Sequence, residues 1–153
     1  MAYTQKGPSS QATVDALNEL LRAELSAVES YDKAILAVED QPRLRDDLSE
    51  CRASHEARAD RISQAILQVG GEPARAPGAW GPFARVIAGG ARTLGRETVI
   101  RTLEEGEDHG LRDYKDALPR LDLGLQRLVS SELYPQQVHT HSVLSALKRG
   151  LAA

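Results

Sequence analysis

From Val14 to Val38, apolar side chains recur at alternate steps of three and four: Val14, Leu17, Leu21, Val28, Tyr31, Ile35 and Val38. That spacing draws one stripe down an α-helix, and such a stripe is buried by packing along other helices. The full series runs 14, 17, 21, 24, 28, 31, 35, 38, and position 24 is a glutamate. A helix is therefore expected over about 13–39, with a carboxylate on its core-facing seam, where it needs a partner to offset lost hydration.

The same pattern recurs further along. Pro42 suits the first turn of a second helix over 42–69, in which Leu44, Leu48, Cys51, His55, Ile62 and Val69 continue the stripe until Gly70, Gly71 and Pro73 stop it. A third helix is expected over 96–118, with Ile100, Leu103, Leu111, Tyr114 and Leu118 on one face and Glu107 among them. A fourth spans 121–148 and carries Leu125, Leu128, Val129, Leu133, Val138, Val143, Leu144 and Leu147. Pro135 lies within it, removes the bond to the Ser131 carbonyl and bends the helix just before Gln136 and His139. Residues 1–10 read as a disordered lead-in. Residues 70–95 form a Gly- and Pro-rich connector containing one short amphipathic helix, long enough to join two parallel helices. Trp80 and Phe83, in that connector, are expected to seal one end of the bundle or a dimer contact.

Hydrophobic residues make up 41% of the chain but aromatics only 4%, so the core is aliphatic, which favours close-packed helices over a sheet. The expectation is an all-α four-helix bundle over 11–150, two hairpins joined by a long crossover. A net charge of -3 supplies no basic footprint for nucleic acid, and no apolar run reaches the roughly 18 residues of a membrane helix. The lone Cys51 excludes an intramolecular disulfide and a cysteine zinc knuckle, and reads as a small core residue. The N-terminal residues lack the pattern of a secretory signal, so a cytoplasmic setting is expected, with a second copy or another protein as partner.

The two halves repeat. Ala23-Glu24 with Tyr31, Ala34 and Ile35 lies over Gly106-Glu107 with Tyr114, Ala117 and Leu118, and Arg52-Ala-Ser-His55 lies over Gln136-Gln-Val-His139. Each hairpin thus offers a glutamate, a tyrosine two turns on, and a histidine about 31 residues after the glutamate. Packed together, Glu24, His55, Glu107 and His139 converge at one depth. Three arrangements are open. Two Glu and two His have the number and type of ligands for one divalent ion, Fe, Zn or Mn, with Tyr31 and Tyr114 donating hydrogen bonds from behind. Alternatively, Arg52 pairs with a glutamate in a dry polar network that fixes helix register. In the third, the register is off by a turn and no cluster forms.

This pattern of Glu and Tyr on one helix, x-x-x-His on the next, then Gly-Gly, a long crossover and the same again, resembles the ferritin-like superfamily. The stretches HEARADRISQAILQVGGEP and LEEGEDHGLRDYKDAL further resemble a bacterial domain-of-unknown-function group of ferritin-like bundles, over roughly residues 11–148. The resemblance implies that Glu24 and Glu107 match the terminal carboxylates of a di-iron site and His55 and His139 its histidines. Arg52 and Gln136 then stand where the bridging glutamates belong, and a guanidinium repels a metal rather than binding it. The implied function is a structural or partner-binding bundle with a degenerate di-metal site rather than a ferroxidase. The rival is a mononuclear Glu/His metal site in metal or oxidant handling. A core pocket lined by the two tyrosines is a weaker third. Glu56 and Glu104 read as surface charges, His109 and His141 as rim residues, and Glu132 as a substitute carboxylate if the last helix shifts at Pro135.

Overall fold

In the computed structural model, which describes residues 10–78 and 95–151, every regular element is helical. The first helix, α1, spans Ser10–Ala37 and the second, α2, Pro42–Gln68. The third, α3, spans Arg96–Ala117 and passes through a 3-10 turn, Leu118–Arg120, into the last. The last helix, α4, is one continuous run in three pieces: an α segment Leu123–Leu128, a π turn Val129–Leu133, and an α segment Tyr134–Leu151.

The ends follow local chemistry. Pro42 begins α2, where its missing N–H is no loss. At the other end, Gly70 adopts φ +80°, its N–H bonds to the Leu67 carbonyl, and that of Gly71 bonds to Ile66. This is a Schellman cap, in which glycine takes the left-handed conformation without strain. Asp122 caps α4 by accepting from the Leu125 N–H at 2.9 Å.

Side-chain contacts fix the direction of each helix. Tyr31 reaches Glu107 while Tyr114 reaches Glu24, so α1 and α3 are antiparallel. Arg52 meets Asp32 and His55 meets Glu24, which makes α2 antiparallel to α1. Gln137 meets Glu107 and Lys148 meets Glu104, which makes α4 antiparallel to α3. It follows that α2 and α3 are parallel. After α2 the chain turns back beside α1 as far as Gly78: Asn18 donates to the Glu72 carbonyl and accepts from the Ala74 N–H, and Ser26 donates to the Gly78 carbonyl. The rest of the expected connector, with its short helix, Trp80 and Phe83, lies outside the described residues, as does nearly all of the N-terminal lead-in.

Two apolar layers fill the interior. One is built from Leu17, Leu21, Ile62, Ile66, Tyr114, Leu121, Leu133 and neighbours. The other is built from Tyr31, Val38, Leu48, Cys51, Val99, Ile100, Leu103, Leu144 and neighbours. Each fully buried aliphatic side chain contributes roughly 1.5–3 kcal/mol, so these layers supply most of the folding drive. Between them lies a polar layer. Among the described residues no helix is long and apolar enough to cross a membrane.

A closed charge cluster as the candidate functional site

Glu24 on α1, His55 and Arg58 on α2, Glu107 on α3, and Gln137 and Thr140 on α4 are all buried. His55 stands between the carboxylates: Nδ1 lies 2.6 Å from Glu24 Oε2 and Nε2 lies 2.6 Å from Glu107 Oε1. A carboxylate only accepts, so both ring nitrogens must donate, and the ring is an imidazolium. Its proton affinity agrees. Burial alone would lower the pKa of His55, but Glu107 and Glu24 outweigh it and raise the group above 6.5.

Arg58 supplies the second cation. Its Nη1 lies 3.3 Å from Glu24 Oε1 and donates to Gln137 Oε1, its Nη2 donates to Thr140 Oγ1 at 3.1 Å, and its Nε donates to the Ser54 carbonyl at 3.3 Å. The 3.1 Å approach of Nη2 to His55 Nδ1 is then a contact between two cations, which works against protonation of His55 without overturning it.

Each carboxylate is saturated with donors. Glu107 Oε1 accepts from Tyr31 at 2.6 Å as well as from His55, and its Oε2 accepts from Gln137 Nε2 at 2.8 Å and Thr140 Oγ1 at 2.7 Å. Glu24 Oε1 accepts from Tyr114 at 2.6 Å. Burial pushes both carboxyls up, but Arg58 and His55 at Glu24, and His55 with the surrounding donors at Glu107, hold both below 4.5. Tyr31 and Tyr114 are raised well above 10, chiefly by burial and next by the carboxylate each one faces, so both remain neutral donors. Among the described residues no buried side-chain nitrogen or oxygen lacks a partner. Two anions and two cations thus close on themselves.

Gly110 on α3 makes room for this layer: a methyl group added there would run into Gln137 Nε2, an amide that is itself fixed by its bonds to Glu107 and Arg58.

Of the residues expected at the site, Glu24, His55, Glu107, Tyr31 and Tyr114 come together. His139, Gln136 and Arg52 do not. His139 and Gln136 are exposed, and their places are taken by Thr140 and Gln137, one position on. The cause is the π turn, which spends one residue more than an α turn and rotates everything after it. Arg52 lies on the outer side of α2, bonded to Asp32 at 2.5 Å and Glu56 at 2.8 Å. The guanidinium in the core is that of Arg58 instead. Glu132 does not substitute as a core ligand, being exposed and paired with Arg61. His109 pairs with Asp113, and His141 sits on the rim 3.7 Å from Glu104. Cys51 is buried in the apolar layer, its thiol pushed up to about 12 by burial and next by Glu107.

The residues present do not suit a metal. A ligating imidazole needs a free nitrogen lone pair, whereas both nitrogens of His55 face carboxylates, and Arg58 holds a permanent positive charge beside Glu24. Among the described residues no three His, Cys, Asp or Glu side chains are placed to hold an ion.

A family model described as a domain of unknown function, DUF2383, matches residues 12–120. The chain belongs to the DUF2383 family. The DUF2383 match covers α1, α2 and α3 with Glu24, His55, Arg58 and Glu107, and ends before α4, which carries Gln137 and Thr140. No curated protein and no solved structure matches the chain.

Proposed function

We propose that this protein is a ferritin-like four-helix bundle in which an internal ion cluster stands in place of a di-metal centre. It acts through its surface, in a structural or partner-binding role, with a second copy or another protein as the partner. A cytoplasmic setting goes with this reading. Ferritin-like di-iron bundles place a glutamate on each of two helices and a Glu-x-x-His on each of the other two. Here Glu24 and Glu107 fill the first role, but the i, i+3 pairs facing them are His55/Arg58 and Gln137/Thr140, with no carboxylate in either. The observation that carries the reading is the double engagement of His55, whose two nitrogens are both committed to carboxylates. Space supports it too: the void touching the cluster is about 10 Å³, room for about one water and not for a substrate.

Metal analysis of protein purified without tag or chelator tests this directly. Iron, zinc and manganese should all be far below one per chain, and a chelator should leave the thermal midpoint unchanged. Near-stoichiometric metal, or a midpoint that falls with chelator, overturns the proposal in favour of a metal-handling protein.

A further inference from the structure

At the end of the bundle where α2 and α3 begin, the surface carries a hollow of about 620 Å³. Its floor is aliphatic. Ile100 is buried there, while Leu44, Leu147 and Leu151 are partly buried and carry the second apolar layer out to the surface. Its rim is cationic. Arg43 and Arg96 stand on it, both exposed, and among the described residues neither has a carboxylate partner. Arg96 bonds instead to the neutral amide of Gln41, which leaves its other donors open. The lining holds a single carboxylate, Asp47, so positive charge is in excess. Both helix starts also lack a side-chain cap, because Gln41 turns its amide to Arg96 and Gly95 has no side chain. Their first N–H groups and the positive ends of two parallel helix dipoles add to the same charge.

Floor and rim ask for different chemistry, and together they narrow the occupant. A small inorganic anion would leave the leucines wet, and a neutral hydrocarbon would leave both guanidiniums without an anion. A hydrocarbon chain that ends in an anion satisfies both. We propose that this hollow binds a free medium-chain carboxylate, with its chain on the floor of Leu44, Ile100, Leu147 and Leu151 and its head group between Arg43 and Arg96. The volume lies in the range of roughly 300–1,000 Å³ that small-molecule sites occupy. The site goes beyond the structural role proposed above and is independent of the ion cluster.

The experiment titrates decanoate into the full chain and follows it by calorimetry and by amide chemical shifts. Binding should saturate at one ligand per chain, with the shifts confined to residues 41–47, 96–100 and 147–151. Hexanoate should bind more weakly, by about threefold for each methylene it lacks. Replacing both cations, Arg43→Ala with Arg96→Ala, should weaken decanoate at least about tenfold. Decyltrimethylammonium, of the same chain length and opposite charge, should not bind the unmodified chain, a comparison that needs no variant to fold. Anionic phospholipid vesicles should not retain the chain. Failure to saturate, shifts centred elsewhere, equal binding of the cation, or affinity unchanged without the two arginines overturns the proposal. Retention by the vesicles overturns it in favour of a membrane-facing patch.

Discussion

His55 is the residue on which the cluster turns, because a neutral imidazole has one N–H and cannot satisfy two carboxylates. Removing one partner from such a group leaves a buried charge uncompensated. His55→Ala or Arg58→Met should therefore cost about 3–5 kcal/mol. Tyr31→Phe and Tyr114→Phe each remove one donor to a carboxylate and should cost about 1.5–3 kcal/mol. Arg52→Ala and His139→Ala, on exposed faces, should stay within about 0.5 kcal/mol. Urea unfolding of the set separates these classes, and a large loss at His139 would show α4 to be in the other register. Much at this scale is legible in sequence: Glu24 and Glu107 interrupt apolar seams, and a seam carboxylate must find a partner. Arg58 was legible by position but not by type. The steps 48, 51, 55, 58, 62 continue the stripe of α2, yet an arginine reads as surface until a buried anion accounts for it.

At the scale of the element, both ends of α2 and the end of α3 fall close to where capping chemistry places them, since Pro42, Gly70 and Pro119 act locally. The register of α4 is not legible in this way. Extending the spacing of Leu125 and Leu128 by α-helical steps leads to 132, 135–136 and 139, whereas the buried positions are Leu133, Gln137 and Thr140. The π turn absorbs the difference, with the Tyr134 N–H bonded to the Val129 carbonyl. Pro135 follows at once and has no N–H to offer Ser131, so an α turn there would lack a bond in any case. The bend expected at Pro135 is thus realised as a widened turn just before it. A π turn holds one extra residue while keeping the core faces on either side of it. Deleting the exposed Ser130 should accordingly leave Gln137 and Thr140 facing Glu107, and should destabilise far less than deleting the exposed Arg101 from regular α3. Thermal midpoints of the two deletions check this; equal losses would mean that the π turn is not the source of the shift.

Across the whole molecule, the internal repeat becomes a crossed brace. Tyr31 of the first hairpin serves the glutamate of the second, and Tyr114 of the second serves that of the first. That brace was only half legible: the Glu-to-Tyr spacing repeats in the sequence, but which carboxylate each tyrosine meets depends on α1 and α3 running antiparallel. Because the cluster joins all four helices, its ionisation is tied to global stability. The raised pKa of His55 means that the folded state holds this proton more tightly, a contribution fully present below 6.5 and lost as pH rises through the raised value. The carboxyls of Glu24 and Glu107, held below 4.5, contribute above 4.5 and lose that contribution as pH falls through their lowered values. Stability should therefore peak between about 4.5 and 6.5, and His55→Gln should flatten the decline on the alkaline side. The central claim, an imidazolium locked between two carboxylates in place of a metal, is tested most directly by nitrogen-15 NMR of the His55 ring in the full chain near neutral pH. Both ring nitrogens should appear protonated, with shifts unmoved by zinc or by chelator. A ring with one bare nitrogen, or one whose signals move with metal, would contradict it.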